Sequence, residues 1–326
     1  MKFLQALEKT KYRDESAKDR SGTHERPEEL ADGNAGLLPE VLATQRLGIG
    51  GPTSVLRTKN VEITHSLPKE SSVVDFLSTS RESTGFDLAS VPEVTVNPLS
   101  ADPHAVSITQ PQSIYCEEYR RLRTHLLRHS QLETLHTLVV ASVGVGEGKS
   151  ITALNLSWLL AQTEGITALL VDCDLRRPSM AAYFGLKVSE GLSDVLDGKR
   201  QLSESIIRLN PSGLFLLAGG KPRMDVAELI SGSRFPDILE EARSIFDFVI
   251  IDAPPLSIFT DAAVLINQAD GALMVMQANQ TNYKDVGRVL ESIPRERVLG
   301  VVLNKSDESL IKDGYYGYSD YTSVAS

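Results

Sequence analysis

A glycine-rich stretch that also carries a lysine and a serine is the segment of this sequence best suited to chemistry. Residues 141–150 read ASVGVGEGKS and lie between an apolar run and a helical run. Glycines at 144, 146 and 148 allow backbone conformations that a Cβ would block, so successive N–H groups can converge on phosphate oxygens. Lys149 can reach the outer phosphates and the Ser150 hydroxyl can bind magnesium, which is the chemistry of a P-loop.

The P-loop departs from the common pattern at one position. GxxxxGK[ST] would place glycine at position 143, where this chain has Val143. The strand–loop–helix context nevertheless indicates a phosphate-binding loop and not an incidental glycine-rich turn. The residues expected to hold the nucleotide are Gly144, Val145, Gly146, Glu147, Gly148, Lys149, Ser150 and Ile151.

Acidic residues follow two further apolar runs. ALLVDCDLRRP carries Asp172 and Asp174, and FDFVIIDAPP carries Asp252. Because ligands of open α/β sheets bind at the carboxyl ends of the strands, we expect these carboxylates to lie beside the P-loop. Magnesium takes few protein ligands and keeps phosphate oxygens and waters, which suits this arrangement. Arg176 and Arg177 come next, and their residue types fit either a solvated pair or contacts to phosphate or acceptor.

The elements that must position these side chains are predicted from apolar runs that alternate with helical stretches. Continuous apolar runs, several of them rich in Val and Ile, are typical of parallel strands buried on both faces. A helix is predicted over residues 113–130, with Ser113 as its N-cap. The fold class is therefore α/β, a P-loop NTPase fold with a mostly parallel sheet and helices on both faces. The predicted strands are HTLVVAS, TALLVD, LFLLA, FDFVIID, GALMVM and VLGVVLN.

Composition limits the classes of protein to which the chain can belong. Its 326 residues are 41% hydrophobic and 23% charged, ordinary values for a globular protein. The net charge of −10 argues against a nucleic-acid partner, which requires a basic footprint. Two cysteines imply no disulfide framework, and no apolar run is long enough for a membrane span or a signal-peptide core. A cytoplasmic location is therefore predicted.

Three segments of different composition divide the chain. Residues 1–104 are rich in Ser, Thr, Glu, Pro and Gly, lack clear periodicity and are predicted to be largely disordered. The α/β domain is predicted over residues 105–308. Residues 309–326 are predicted to form a flexible tail, because glycines accompany a cluster of four tyrosines there: Tyr315, Tyr316, Tyr318 and Tyr321.

As a set, these motifs resemble the bacterial tyrosine kinases of the CpsD/CapB exopolysaccharide type, within the broader MinD/ParA-like group. The resemblance rests on GVGEGKS, VDCDLRRP and VIIDAPP and extends over roughly residues 105–321. It implies a kinase domain that binds ATP and Mg²⁺ and autophosphorylates the tail in trans, within a ring-shaped oligomer. Asn304, at the end of VVLN, would contact the adenine. The phosphoacceptors would be Tyr315, Tyr316, Tyr318 and Tyr321.

The resemblance also implies a catalytic role for each polar residue of the site. Lys149 would stabilise the transferring phosphoryl group. Ser150, Asp174 and Asp252 would serve the magnesium ion, directly or through water. Asp172 would be the base or orienter for the incoming tyrosine hydroxyl, with the division of roles between Asp172 and Asp174 left open.

Partners follow from the same resemblance. Glu117, Arg120 and Arg123 match an ExxRxxR motif that resembles an oligomerisation determinant; the alternative is an ordinary charged helix surface. Their i, i+3, i+6 spacing places them on adjacent helical turns, where intersubunit ion pairs can form. A separate membrane polysaccharide co-polymerase, or chain-length determinant protein, would activate the kinase, and a cognate tyrosine phosphatase would oppose it. The protein would then be cytoplasmic and peripheral to the inner membrane through that partner.

Two other functions are consistent with the same P-loop. A MinD/ParA-like positioning ATPase would transfer the phosphoryl group to water. Such relatives usually carry lysine at the position of Gly144, and the membrane-targeting members end in a basic amphipathic helix. A non-catalytic nucleotide-binding scaffold of the polysaccharide machinery would not need Lys149, Ser150 and three aspartates. The sequence therefore favours the autokinase.

Overall fold

The structure, a computed structural model, describes residues 86–306. Residues 1–85 and the predicted tail, with its four tyrosines, lie outside the described residues. The strands are β1 (Glu93–Thr95), β2 (Thr137–Ser142), β3 (Ala168–Asp172), β4 (Ile206–Asn210), β5 (Leu214–Leu217), β6 (Phe248–Asp252), β7 (Gly271–Gln277) and β8 (Val298–Asn304).

All of these strands belong to one sheet, in the order β1-β4-β5-β3-β6-β2-β7-β8. The six strands from β5 to β8 in this order are mutually parallel. β4 pairs antiparallel with β5, and β1 pairs parallel with β4. The six parallel strands therefore end at one edge of the sheet, here called the carboxyl edge. The predicted fold class is confirmed.

Helices cover both faces of the sheet. Leu126, Trp158 and Leu170 belong to one core cluster on one face, whereas Phe235 and Val171 line a small cavity on the other. No helix among residues 86–306 combines the length and the apolar character that a bilayer crossing requires. The helices are α1 (Val106–Thr109), α2 (Ile114–Leu132), α3 (Lys149–Ala161), α4 (Met180–Tyr183), α5 (Leu192–Leu196), α6 (Leu202–Ser205), α7 (Val226–Ser231), α8 (Arg234–Ile245), α9 (Asp261–Gln268) and α10 (Tyr283–Glu291).

Local sequence decides where the two longest helices begin. α2 begins after Ser113, whose Oγ accepts a hydrogen bond from Cys116 N at 3.2 Å, so the predicted N-cap is confirmed. α3 begins after Gly148, whose φ is 97°. A Cβ on Gly148 would lie 2.1 Å from Asn304 Nδ2, so position 148 requires glycine for both its conformation and its space.

Strands β1 and β4 were not predicted from the sequence. β1 lies within the segment predicted to be largely disordered, and for residues 86–104 the structure differs from that prediction. Glu93–Thr95 pairs with β4, and the Glu93 carboxylate binds Arg208 at 3.0 Å and Asn210 at 2.9 Å. A three-residue edge strand with its partner 115 positions away leaves no local periodicity to detect.

Candidate active site

The predicted catalytic residues follow three adjacent strands. β6 lies between β3 and β2 in the sheet. Lys149 comes after β2, Asp172 and Asp174 come at the end of β3, and Asp252 ends β6. Asp172 lies directly opposite Asp252 in the parallel register. The topology therefore brings all four side chains to the carboxyl edge, as expected for a ligand site in an open α/β sheet.

Lys149 lies at the centre of this group. Its Nζ is 3.0 Å from Ser150 Oγ, 3.1 Å from Asp174 Oδ2 and 3.4 Å from Asp252 Oδ1. Burial by itself disfavours the ammonium, but Asp252 and Asp174 outweigh that effect, so the pKa of Lys149 is raised above its ordinary value. The lysine is therefore a fixed positive charge at the end of the P-loop.

The carboxylates around Lys149 carry more negative charge than one lysine can balance. Asp252 is fully buried, and burial raises its pKa although Lys149 opposes the rise. Burial also raises the pKa of Asp172 to about 7, with a further contribution from Asp252. A bound divalent cation would relieve this repulsion, because the charge of the ion dominates the electrostatics of such a site.

The residues at this edge fit a magnesium-bound nucleotide. Among the described residues, Asp252 Oδ2 is buried and has no hydrogen-bond partner, so it has a free acceptor beside Ser150. Gly146 and Gly148 have φ of 76° and 97°, conformations that let backbone N–H groups face a phosphate. Residues 86–306 hold no cluster of acidic, His or Cys side chains able to cage a metal alone. Phosphate oxygens would complete the coordination, as Mg²⁺ prefers.

Val143 occupies the position where the common P-loop pattern has glycine. Its side chain is buried, and its carbonyl accepts a hydrogen bond from Ser257 N at 2.9 Å. Among residues 86–306, positive φ occurs outside glycine only at Asn279 and Lys305. Position 143 therefore does not require glycine, and its valine contributes to the core instead.

The two carboxylates after β3 have different surroundings. Asp172 accepts hydrogen bonds from the backbone N–H groups of Asp174 at 3.2 Å and of Ser179 and Met180 at 2.9 Å each. Its side chain therefore holds the loop that joins β3 to α4. Asp174 contacts Lys149, and its side chain is 14% exposed. Asp174 is thus the carboxylate of this pair that a second substrate could approach more easily.

The Glu147 side chain holds the P-loop in place through hydrogen bonds. Its carboxylate accepts hydrogen bonds from Gly144 N at 2.8 Å and from Thr281 Oγ1 at 2.5 Å, and the residue is buried. Thr281 Oγ1 also accepts from Gln277 N at 2.8 Å. The side chain of Glu147 thus links the P-loop to the segment after β7. The sequence places Glu147 in the nucleotide site but contains no signal for its partner Thr281.

Two residues at the end of β8 contact the same loop. Asn304 Nδ2 donates to Glu147 O at 2.9 Å, and Lys305 Nζ donates to Gly146 O at 2.7 Å. Lys305 N in turn donates to Asn304 Oδ1 at 2.9 Å. Both polar groups of the Asn304 amide therefore bind backbone. The predicted contact of Asn304 with adenine stays a prediction, and the contacts present support a bracing role.

We expect Glu147→Gln to weaken ATP binding by roughly 5- to 20-fold, because charge-assisted hydrogen bonds that hold the loop are replaced by weaker neutral ones. Thr281→Val, which removes the hydroxyl partner, should have a smaller effect in the same direction. The measurement is the Kd of a fluorescent ATP analogue with each full-length variant.

The matched control for this experiment is Glu118→Gln. Glu118 lies on α2, and within residues 86–306 its ion-pair partner is Arg121 alone, at 2.7 Å. Its substitution should leave the Kd unchanged. If Glu147→Gln lowered the Tm but bound ATP as tightly as the unsubstituted protein, the hydrogen bonds of Glu147 would stabilise the fold and would not contribute to ATP binding.

The two arginines after the second acidic motif have separate environments. Arg176 binds the buried carboxylate of Asp261 at 2.9 Å and lies 4.5 Å from the centre of the Phe259 ring. The Arg177 backbone N–H donates to Asp174 Oδ1 at 3.3 Å, and its side chain is exposed. Arg176 is therefore held by protein groups, whereas Arg177 faces outward from the site.

The predicted oligomerisation residues lie on α2 and have contacts within the chain. Glu117 and Arg120 form an ion pair of 2.8 Å, and Arg120 also donates to Pro111 O at 2.7 Å. Arg123 donates to Leu159 O at 3.3 Å. The Glu117 and Arg120 side chains are 42% and 35% exposed, so they are accessible to a second chain.

Proteins named as tyrosine kinases are among those that resemble this chain in sequence and in structure. A family described as an AAA domain matches residues 136–298. Tyrosine-protein kinase YwqD of Bacillus subtilis is 32% identical over 220 residues, which are 67% of this chain and 92% of that protein.

Among solved structures, the kinase domain of Escherichia coli tyrosine kinase ETK has a TM-score of 0.59 at 26% identity. The match covers 66% of this chain and 86% of that one. The chimerical protein CapA2B2 also has a TM-score of 0.59, at 27% identity, with coverage of 73% and 99%. The resemblance proposed from the motifs is confirmed, and this chain belongs to the family of bacterial tyrosine-protein kinases.

Proposed function

We propose that the chain transfers the γ-phosphoryl group of ATP to the tyrosine cluster of a neighbouring copy, and that this autophosphorylation regulates exopolysaccharide biosynthesis or export. We assign catalysis to the domain predicted over residues 105–308, to whose sheet β1 adds an edge strand. Residues 309–326 supply the acceptors Tyr315, Tyr316, Tyr318 and Tyr321.

One observation carries this proposal. Lys149 Nζ lies between Asp174 and Asp252 at distances of 3.1 and 3.4 Å, at the end of a P-loop with free acceptor capacity on Asp252. Phosphoryl transfer needs charge stabilisation and alignment more than covalent chemistry, and these groups supply both. Family membership supports tyrosine as the acceptor.

The reaction assigns a task to each part of the site. The phenol oxygen forms a bond to the γ-phosphorus while the bond to the β,γ-bridging oxygen breaks, which yields ADP and phosphotyrosine. Lys149 and the P-loop N–H groups stabilise the negative charge on the transferring group. Ser150, Asp174 and Asp252 would hold Mg²⁺, which supplies charge neutralisation when bound.

The proton of the acceptor phenol needs a nearby carboxylate. A phenol of pKa near 10 loses its proton only partially in a loose transition state, so positioning matters more than basicity. Asp172 and Asp174 remain the two candidates. The backbone hydrogen bonds to Asp172 favour an orienting role for it, and Asp174 is the more accessible of the two carboxylates but is also assigned to magnesium.

The test is phosphosite mapping of the full-length protein. Purified chain is incubated with ATP and Mg²⁺, with and without the cytoplasmic segment of a membrane co-polymerase, and the modified residues are located by mass spectrometry. Label on the tail tyrosines supports the proposal. Phosphate release without label would support a positioning ATPase, and tight nucleotide binding without either would support a scaffold.

Assembly and location form part of the proposal. We infer a homo-oligomeric ring, an activating membrane co-polymerase and a cytoplasmic position peripheral to the inner membrane through that co-polymerase. Similarity to a protein described as the chimera CapA2B2 supports a second component. A cognate tyrosine phosphatase would reverse the modification.

We expect the triple substitution Glu117→Ala, Arg120→Ala and Arg123→Ala to yield smaller particles, because these residues would provide the ion pairs between subunits. Light scattering of the full-length protein gives the measurement. The control is Glu118→Ala, Arg121→Ala and Arg128→Ala, residues of the same helix with the same charges, of which both arginines are exposed and Glu118 is half-buried. Equal particle sizes for the two triple variants would exclude the motif as an oligomerisation determinant.

A further inference from the structure

Three loops at the carboxyl edge form a continuous surface next to Asp174. They follow β3, β5 and β6, which are parallel to one another. Arg223 N in the loop after β5 donates to Leu175 O in the loop after β3 at 2.8 Å. Arg176 connects both of these loops to the third, because it donates to Met224 O at 3.3 Å and stacks on Phe259.

This surface carries two exposed cations. Within residues 86–306, the side chains of Arg177 and Lys221 have no carboxylate oxygen within 4.0 Å. The acidic residues of the three loops are otherwise engaged, since Asp174 pairs with Lys149 and Asp225 with Arg223. The loops therefore present net positive charge in a chain whose overall charge is −10.

The same three loops carry two exposed apolar side chains. Met224 is 89% exposed and Ile258 is 55% exposed. The Arg176–Phe259 stack connects the segments that carry them, so both positions are held by a fixed contact. Loops that carry both exposed apolar side chains and exposed cations suit an aromatic ring flanked by carboxylates.

We propose that Arg177, Lys221, Met224 and Ile258 form an acceptor surface that receives the acidic tyrosine tail of a second copy of this chain. This inference rests on the function proposed above and names the residues that select its acceptor. The tail, residues 309–326, contains Asp313 and Asp320 against a single lysine, Asp307 and Glu308 come directly before it, and every tyrosine of the tail lies within three positions of an aspartate. The charges of tail and surface are therefore complementary.

The order of the strands favours a second copy over the chain's own tail. The tail follows β8, at the far edge of the sheet, and β7 and β2 separate β8 from β6. The P-loop follows β2, so a chain's own tail would have to cross the nucleotide site to reach the acceptor surface. A neighbour's tail can approach from the β5 side without that crossing.

The experiment separates the kinase from its acceptor in two full-length chains. The kinase carries Tyr315→Phe, Tyr316→Phe, Tyr318→Phe and Tyr321→Phe, and the acceptor carries Lys149→Met. The two are mixed before ATP and Mg²⁺ are added, and the initial rate of tyrosine labelling is measured against acceptor concentration. The first mixture contains the kinase with its acceptor surface unchanged and the Lys149→Met acceptor. Labelling of the acceptor in this mixture tests the proposed function itself.

We expect Arg177→Glu with Lys221→Glu in the kinase chain to raise the apparent KM for the acceptor roughly tenfold, because two attractive charge contacts become repulsive. An acceptor with Asp313→Lys and Asp320→Lys should recover most of the loss with this kinase. The Kd for an ATP analogue should not change. A control kinase with Lys284→Glu and Arg295→Glu, exposed cations outside these loops, should keep the original KM.

Three results would overturn the acceptor surface while the proposed kinase stands. The first is labelling with an unchanged KM in the charge-reversed kinase. The second is a loss confined to ATP affinity, which would assign Arg177 to phosphate. The third is the absence of any recovery with the charge-reversed acceptor. A different result would contradict trans-phosphorylation, and with it the proposed function. In that case the kinase whose surface is unchanged would leave the Lys149→Met acceptor unlabelled.

Discussion

Replacing Lys149 with methionine should lower the rate of tail phosphorylation by roughly 10³-fold or more, to the background of the assay. The ammonium is the only cationic group within hydrogen-bond distance of both Asp174 and Asp252 among the described residues, and it lies where the β- and γ-phosphates would bind. A preorganised charge in a water-poor site contributes far more than the same charge in solvent. Methionine keeps the length of the side chain and removes the charge.

The measurement is single-turnover labelling with saturating ATP, followed by mass spectrometry of the tail. The matched control is Lys284→Met, since Lys284 is an exposed lysine on α10, and this variant should keep full activity. Thermal unfolding reports whether the Lys149 variant folds. Removing the cation from among three carboxylates should lower the Tm of the nucleotide-free protein, and Mg²⁺ should recover part of the loss. Residual labelling above about a tenth of the original rate would contradict the role of Lys149.

Asp252→Asn should lower kcat by roughly 10²- to 10³-fold and raise the magnesium concentration needed for half-maximal activity. The residue is fully buried, and its Oδ2 has no hydrogen-bond partner among the described residues. An amide cannot supply the negative charge that holds a divalent ion or the water bound to it. We also expect the Tm of the metal-free variant to equal or exceed that of the unsubstituted protein, because one of three mutually repelling carboxylates is removed.

The control for this prediction is Asp270→Asn, at the opposite edge of the same sheet. Asp270 accepts hydrogen bonds from His136 N, from Thr137 N and Oγ1, and from Arg243, at distances between 2.8 and 3.0 Å. Its substitution should lower the Tm and leave the magnesium dependence of kcat unchanged. If Asp252→Asn behaved in the same way, Asp252 would be a structural residue like Asp270.

Much of the fold follows from local patterns in the sequence. All six strands predicted from apolar runs are present within one or two residues of their expected ends, and Ser113 caps α2 as expected. These features depend on side chains that are neighbours along the chain, and that is the information a sequence displays directly. The same reasoning failed for β1 and β4. The three residues of β1 are recruited to the sheet edge by a β4 partner more than a hundred positions away.

The sequence by itself also determined the chemistry of the site: a P-loop with Lys149 and Ser150, and aspartates at two strand ends. Only the tertiary structure distinguished the roles of the individual side chains. The sequence does not distinguish the roles of Asp172 and Asp174. In the structure, backbone N–H groups donate hydrogen bonds to Asp172, whereas Lys149 contacts Asp174. Glu147 meets Thr281 only because β2 and β7 are adjacent in the sheet. The role of a polar side chain depends on its hydrogen-bond partners and burial, and the order of the strands sets both.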